Sequence, residues 1–349
     1  MSTGLGIPDA VRAGRDSLHG TPTPLQRPDL PTTEPWPESL PAALHPAPLH
    51  CALPESRRRA LARPLSLVYA PPELRFLKYE GLGNDFVLLE EAELGGVPLT
   101  PAEAVAICDR HLGVGADGVL VIEREPWAMR VHNADGSMAQ MCGNGLRCVA
   151  LHLQGAGAGD EFVVETDSGP HACRVIASSP QAEVEVAMRA AEIDPARVPV
   201  AADAPLIDAA FDLEGSTLRL SAVSMGNPHA VLFDLSSERA SELGPRLSVD
   251  PRFPEGVNAG FVTRRGDVFE LRVHERGVGW TRACGTGACA AAYAAVLTGR
   301  AARHAPIVIE LPGGRLTLEV GEDGSPILMR GRARHVFDGT LSRERLLVP

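Results

Sequence analysis

Two short stretches put a cysteine at the head of a glycine-rich turn: MCGNGLRC (141–148) and ACGTGAC (283–289). In each, Cys142 or Cys284 is followed by Gly-x-Gly, then by a helix-compatible run with a second thiol, Cys148 or Cys289. A metal site, a redox pair, a phosphate cradle or a duplicated catalytic element could each use such residues. Zinc knuckles require C-x2-C or C-x4-C pairs, whereas here the gaps are C-x5-C and C-x4-C with helical sequence between. A redox dithiol requires C-x-x-C, which does not occur. Neither a Walker loop nor a G-x-G-x-x-G linking a strand to a helix is present. Small residues let backbone N–H groups converge, and a helix N-terminus carries partial positive charge. A thiol there is expected to ionise more readily than usual, and a carboxylate to bind the neighbouring amides. Cys148 and Cys289, about one and a half turns in, are expected to be packed core thiols.

The elements around the two cysteines repeat as well. Ten residues before Cys142 and Cys284 stand His132 and His274, in RVHN and RVHE. Twenty-four before them stand Gly118 and Gly260, each opening an apolar run. Asn84, in LGNDFVLL, lies 58 residues before Cys142, and Asn227, in MGNPHAVLF, lies 57 before Cys284. Spacing conserved over nearly sixty residues reads as two copies of one domain, 74–195 and 196–335. Segment 336–349 is expected to return to the first copy. PAEAVAICDRHLG reads as a helix ending at Gly113; DGVLVIE, STLRLSAVS, HAVLFDL, GDVFELRVHE, PIVIELP and RLTLEV read as strands. The pattern predicts an α+β fold with mainly antiparallel sheets.

The chain of 349 residues, 44% hydrophobic and 22% charged, has room for two domains. Its net charge of −11 argues against a general nucleic-acid or membrane-surface binder. No run approaches 18 apolar residues, and the start MSTGLGIPDA lacks the charged and apolar regions of a secretory signal. Seven cysteines are too few for a disulfide framework and fit a reducing cytoplasm. Fourteen of the 30 prolines fall in residues 1–73, so this extension is expected to be a disordered tail. RRRALARPLSLVYAPP (57–72) imitates a targeting segment by its basic-then-apolar order, but it is internal and proline-bounded.

The remaining use of the paired device is two thiols opposed across a cleft. One thiolate would remove a proton from carbon while the opposite thiol delivers one from the other face, and two opposed acid/bases of the same kind are what inversion of a stereocentre requires. Two helix N-termini aimed at one carboxylate would stabilise the carbanion-like transition state without a cofactor. GLGNDF, GVGADG, HNADGSMAQMCGNGLRC, SMGNPHAVLF, PEGVNAGF and HERGVGWTRACGTGACAAA resemble, in order, the motifs of the diaminopimelate epimerase family. The resemblance spans about 74–342 and rests on six ordered motifs.

It implies a pyridoxal-independent isomerase that interconverts LL- and meso-2,6-diaminopimelate in the lysine and peptidoglycan pathway, with no cofactor and no metal. The implied fold has two pseudo-symmetric domains, each a β-barrel-like sheet around a central helix, and the implied assembly is a cytoplasmic homodimer. The catalytic pair carries over to Cys142 and Cys284, and the α-carboxylate to the amides of Gly143-Asn144 and Gly285-Thr286. Asn84, Asn133, Asn227, Asn258 and Arg276 match positions that hold the substrate's amino groups and distal carboxylate; Glu275 and His229 match positions that assist catalysis. His132 and His274 are read as structural. Two departures stand out: Trp280 replaces the Glu common before the Thr, and Gly118 stands where some members carry Gln. The competing readings are a proline or hydroxyproline racemase and a non-catalytic duplicated binding module.

Overall fold

The computed structural model describes residues 73–178, 182–213 and 215–347. The proline-rich extension to residue 72, including the basic-then-apolar stretch, lies outside the described residues. Glu73, expected to end that extension, instead opens the first strand. The first half runs β1 (Glu73–Gly81), β2 (Asn84–Glu90), α1 (Pro101–Cys108), β3 (Gly118–Arg124), β4 (Trp127–Asn133), β5 (Met138–Ala139), α2 (Gly143–Leu153), β6 (Glu161–Thr166), β7 (Gly169–Ala177) and β8 (Glu183–Met188). The second runs β9 (Ala209–Leu213), β10 (Ser216–Ser224), β11 (Pro228–Phe233), α3 (Ser237–Leu247), β12 (Asn258–Arg265), β13 (Val268–Glu275), β14 (Gly279–Trp280), α4 (Gly285–Leu297), β15 (Ile307–Leu311), β16 (Gly314–Glu319) and β17 (Ile327–Arg332). A last strand, β18 (Arg334–Ser342), follows.

Hydrogen bonding orders the first half β18-β1-β2-β3-β4-β6-β7-β8 and the second β9-β10-β11-β12-β13-β15-β16-β17. The two orders are the same fold drawn twice, with β18 lending the first half the edge that β9 lends the second. Parallel steps fall at equivalent places, β2–β3 and β4–β6 against β11–β12 and β13–β15; the other pairings are antiparallel. β8 and β17 pair antiparallel, from Met188 opposite Ile327 to Glu183 opposite Arg332, and so weld the halves into one sheet. The expected α+β architecture of two similar halves is the observed one.

Each half bends its sheet around a buried helix. α2 touches β1, β2, β3, β4, β7, β8 and β18; α4 touches β10, β11, β12, β13, β15, β16 and β17. Sequence explains why these helices can sit inside. In α4 every residue from Gly287 to Ala295 is buried, and all but Cys289 and Tyr293 are glycine or alanine. A helix buried all round needs an apolar surface on every side. Small side chains let strands close on it, where larger ones would overpack at about 1–3 kcal/mol each. Tyr293 directs its hydroxyl out to Asp323, 2.9 Å away, so its polar end is satisfied. The strands alternate as their sequences suggest: in β1, Leu74 and Phe76 point inward between exposed Glu73 and Arg75.

One helix is shorter than its sequence suggests. α1 opens on Pro101 with a capping box between Thr100 and Glu103, but it stops at Cys108 rather than Gly113. The Asp109 carboxylate accepts from the N–H groups of His111 and Leu112, both at 2.7 Å, and this local turn replaces the next helical bonds. Beyond β18, buried Arg343 pairs with Glu103 at 2.6 Å, so the C-terminal segment is clamped onto α1 of the first half.

Candidate active site

Cys142 and Cys284 are the N-caps of α2 and α4, both in extended conformation (φ −137° and −128°). The strand-to-helix corner therefore holds each sulfur beside first-turn N–H groups that have no acceptor within their own helix. The two corners meet over the β8–β17 weld. A Cβ added to Gly143 would lie 3.0 Å from Met329 Cε, and one added to Gly285 would lie 3.3 Å from Met329 Sδ, so both glycines let their corners close on the same methionine. Asn144 bridges the halves: its Nδ2 donates to Ala283 O at 3.3 Å, immediately before Cys284, and to Asn84 Oδ1 at 3.1 Å.

The two asparagines found by spacing occupy equivalent corners. Gly83 (φ +76°) and Gly226 (φ +92°) turn the chain in left-handed conformation just ahead of them, which L side chains resist. Asn84 Oδ1 faces the Cys142 thiol at 3.9 Å, while its Nδ2 donates to Asp117 at 2.6 Å. Asn227 Nδ2 donates to Thr286 Oγ1 at 3.4 Å, and Thr286 Oγ1 lies 3.6 Å from Cys284 Sγ. His229 is 1% exposed, with Nε2 3.1 Å from Asn227 Oδ1. The amide oxygen can only accept, so Nε2 carries the proton and His229 orients Asn227.

Glu275 closes β13 against Cys284. Its carboxylate accepts a hydrogen bond from the Cys284 thiol and one from Thr281 Oγ1 at 2.5 Å. Asn133, ending β4 at the matching place in the first half, donates to Ser137 Oγ at 2.9 Å and shapes the β4–β5 turn. Asn258 is 2% exposed and has both polar ends committed: Nδ2 donates to Pro228 O at 3.0 Å, and Oδ1 accepts from Arg276 N at 3.1 Å. It thereby ties the first residue of β11 to the backbone of Arg276. Arg276 donates to Glu255 O at 2.6 Å and lines an open groove with Ser248, Val249 and Phe253.

The expectation that helix N-termini make both thiols readily ionised is overturned. Burial pushes the Cys142 thiol above its ordinary value; the amides of Gly145 and Asn144 and the positive charge of Arg147 pull back without winning, and Glu275 adds to the rise. Cys284 is pushed well above, first by burial and then by the nearby Glu275. Desolvation of the thiolate costs more here than the helix ends return. Burial likewise raises the Glu275 carboxyl above its usual range, against the hydrogen bonds from Thr281 and Cys284. Cys148 and Cys289 are fully buried, as expected of core thiols.

The two departures have their own packing. Trp280 packs edge-on to His274, with ring centroids 5.2 Å apart, and the Arg272 guanidinium lies 4.6 Å from its ring centre. It faces α3, where a Cβ on Gly244 would come within 2.8 Å of its ring. Gly118 admits no side chain, because its Cβ would fall 2.7 Å from His132 O. Three further residues belong to the site: Thr281 on Glu275, Asp117 on Asn84, and Arg147 behind Asn144. Asp117 and Arg147 lie inside recognised motifs; nothing in a motif says which of its polar residues reaches the thiols.

His229 also makes a measurable contribution to stability. Burial first, and then the charge of Arg276, lower it to about 3. An unfolded histidine titrates near 6.5, so the unfolded chain binds the extra proton between the two values, and stability present above 6.5 is lost as pH falls. His132, His171 and His274 shift the same way, so a difference measurement isolates His229. Between pH 7 and 5.5, wild type is expected to lose about 1 kcal/mol more than His229→Gln in urea melts. Equal losses would contradict the buried neutral imidazole.

The sequence model of the family described as diaminopimelate epimerase matches residues 76–193 and 221–336. The diaminopimelate epimerase of Synechococcus elongatus is 41% identical over 280 residues, covering 77% of this chain and 98% of that protein. That of Pseudomonas fluorescens is 42% identical over 277 residues, covering 76% and 98%. Among solved structures, the fold resembles a hydroxyproline epimerase from Agrobacterium vitis with TM-score 0.58 at 17% identity, over 78% of this chain and 93% of that one. It also resembles a PhzF-family protein from Bacillus anthracis with TM-score 0.57 at 16% identity, over 77% and 99%. These two likenesses are of fold alone. The two matched segments each end shortly beyond one of the welded strands, β8 or β17, and each contains one cysteine-capped helix; the chain belongs to the diaminopimelate epimerase family.

Proposed function

We propose that this protein interconverts LL- and meso-2,6-diaminopimelate by a two-base cysteine mechanism that needs no pyridoxal phosphate. The observation that carries the reading is the pair of cysteine-capped helices, α2 and α4, drawn together across the β8–β17 weld by Asn144. In one direction the Cys142 thiolate takes the α-proton while the Cys284 thiol gives its proton to the opposite face; in the other the roles exchange. As the C–H bond breaks, its electron pair moves into the α-carboxylate. First-turn amides of Gly143, Asn144, Gly285 and Thr286 face that growing charge from both helices.

The raised thiols explain why Glu275 is needed. When the Cys284 proton moves along its hydrogen bond to the Glu275 carboxylate, a thiolate forms and the buried negative charge is relocated, not increased. His229 stays neutral at physiological pH and acts through Asn227. Asn84, Asn133, Asn227 and Arg276 supply the polar wall for the amino groups and distal carboxylate, with Asn258 holding Arg276 and Pro228 in place. A substrate with two amino and two carboxylate groups offers partners to so many amides and a guanidinium, where a proline or hydroxyproline ring offers one amino and one carboxylate group. A binding module would have no use for either thiol. The family resemblance implies a homodimer, and the free state of the six described cysteines suits a reducing compartment such as the cytoplasm.

The test is to incubate purified protein with LL-diaminopimelate under reducing conditions without pyridoxal phosphate, with L-proline and trans-4-hydroxy-L-proline in parallel. Accumulation of the meso isomer is expected. Its absence, or turnover of a proline instead, would refute the assignment.

A further inference from the structure

The halves repeat each other in fold but not in charge. Five residues after the first-half thiol stands Arg147; five after the second-half thiol stands Cys289. Arg147 is fully buried. Its Nη2 donates to Asn144 Oδ1 at 2.9 Å, its Nη1 to Gly143 O at 3.3 Å, and its Nε to Arg332 O at 3.3 Å. None of its hydrogen-bond partners among the described residues is a carboxylate. The guanidinium lies in a slot between two strands, where a Cβ on Gly81 of β1 would come within 3.3 Å of it and one on Gly331 of β17 within 3.2 Å. The opposite asymmetry holds at the carboxylate: the second half has Glu275 where the first has Asn133.

We propose that Arg147 is a positioning residue that makes Cys142, rather than Cys284, the first thiol of the pair to ionise, by seating a guanidinium behind the N-terminus of α2 while Glu275 faces Cys284. Arg147 holds Asn144, and Asn144 holds Asn84 and Ala283; Asn84 Oδ1 accepts from the neutral Cys142 thiol, so what favours the thiolate is the guanidinium's charge and not this chain of amides. Burial lowers the Arg147 guanidinium from its very high ordinary value while the surrounding thiols and Glu80 pull it back up; starting so high, an arginine serves as a countercharge and not as a proton donor. The other charged or titratable groups acting on the pair are known. Cys142 feels Arg147 and Glu275; Cys284 feels Glu275; Arg147 feels Cys148, Cys289 and Glu80, and Glu80 is itself paired with Arg334 at 3.1 Å. Positive charge thus favours the thiolate at Cys142, and negative charge opposes it most at Cys284. The consequence for catalysis rests on the epimerase reading: the thiol that gives up its proton more readily lies on the α2 side, and Cys284 gains its charge through Glu275.

The experiment follows iodoacetamide labelling of each cysteine against pH, without substrate, by peptide mass spectrometry. Comparing the pH midpoints of the two labelling curves, not their absolute rates, removes differences in access. In wild type the Cys142 midpoint is expected below that of Cys284. Arg147→Met, of similar bulk, should raise the Cys142 midpoint by about one pH unit or more, a tenfold slowing of labelling at pH 7.5, and leave the Cys284 midpoint in place. Arg147→Lys should restore most of the difference. A Cys284 midpoint below that of Cys142 in wild type overturns the proposal. So does an Arg147→Met protein in which neither curve moves, or both move together as general loosening would make them. Should Arg147→Met not fold, the wild-type order and the retention of a low Cys142 midpoint in Arg147→Lys decide it. Because no turnover is read, a protein with the expected titration but no epimerase activity would count against the proposed function and leave this inference standing.

Discussion

Cys142→Ala and Cys284→Ala are each expected to lose epimerase activity by at least about 10³-fold, yet each should still exchange the substrate α-proton with deuterated solvent for one configuration only. The two variants should have opposite preferences. Cys142 and Cys284 are the N-cap residues of different helices, one in each half; in the proposed mechanism each approaches the α-carbon from its own half, so removing one leaves the other able to abstract a proton but not to deliver one to the far face. The measurement is α-proton exchange by NMR on separate LL and meso substrates. Near wild-type epimerisation in either variant would refute the opposed-thiol mechanism, as would exchange of the same configuration by both.

Glu275→Gln should lower kcat by about 10²–10³-fold, and the loss should fall on one thiol. The amide keeps the size of the side chain but cannot take a proton from the Cys284 thiol that now donates to the carboxylate. In the Cys142→Ala background, where Cys284 alone remains, the added Glu275→Gln change should end α-proton exchange. In the Cys284→Ala background it should change exchange little, because Cys142 has Arg147 and the amides of Gly145 and Asn144 in place of a carboxylate. Equal losses in the two backgrounds would show that Glu275 serves the site as a whole. The pH profile adds a sign. Burial raises the Glu275 carboxyl above its ordinary value, and the base form is the active one. Activity should therefore fall as pH drops through that raised value, and this acidic limb should vanish in Glu275→Gln.

Much of this was present in the chain as text. The duplication, the pairing of Cys142 with Cys284 and of Asn84 with Asn227, and the strands from STLRLSAVS to RLTLEV are carried by spacing and by alternation of apolar residues. Those signals are local: an alternating strand or a glycine before an asparagine has the same meaning wherever the sheet later places it. The end of α1 at Cys108 was less accessible, because the Asp109 side chain competes with helix continuation only once the turn to Leu112 forms. Only the tertiary structure decided that Asn258 ties Pro228 to Arg276 and that Trp280 lies against α3.

The electrostatic sign of the site belongs to the same class. From sequence, a thiol at a helix N-terminus should ionise easily, and the amides of Gly145 and Asn144 do pull Cys142 that way. Packing by two curled half-sheets buries Cys284 and half-buries Cys142, and desolvation depends on every atom that surrounds a charge rather than on its neighbours in the chain. The same burial encloses Arg147 across the seam from Arg332 and Met329, nearly two hundred residues away, so what that guanidinium does could be read only after the halves had met.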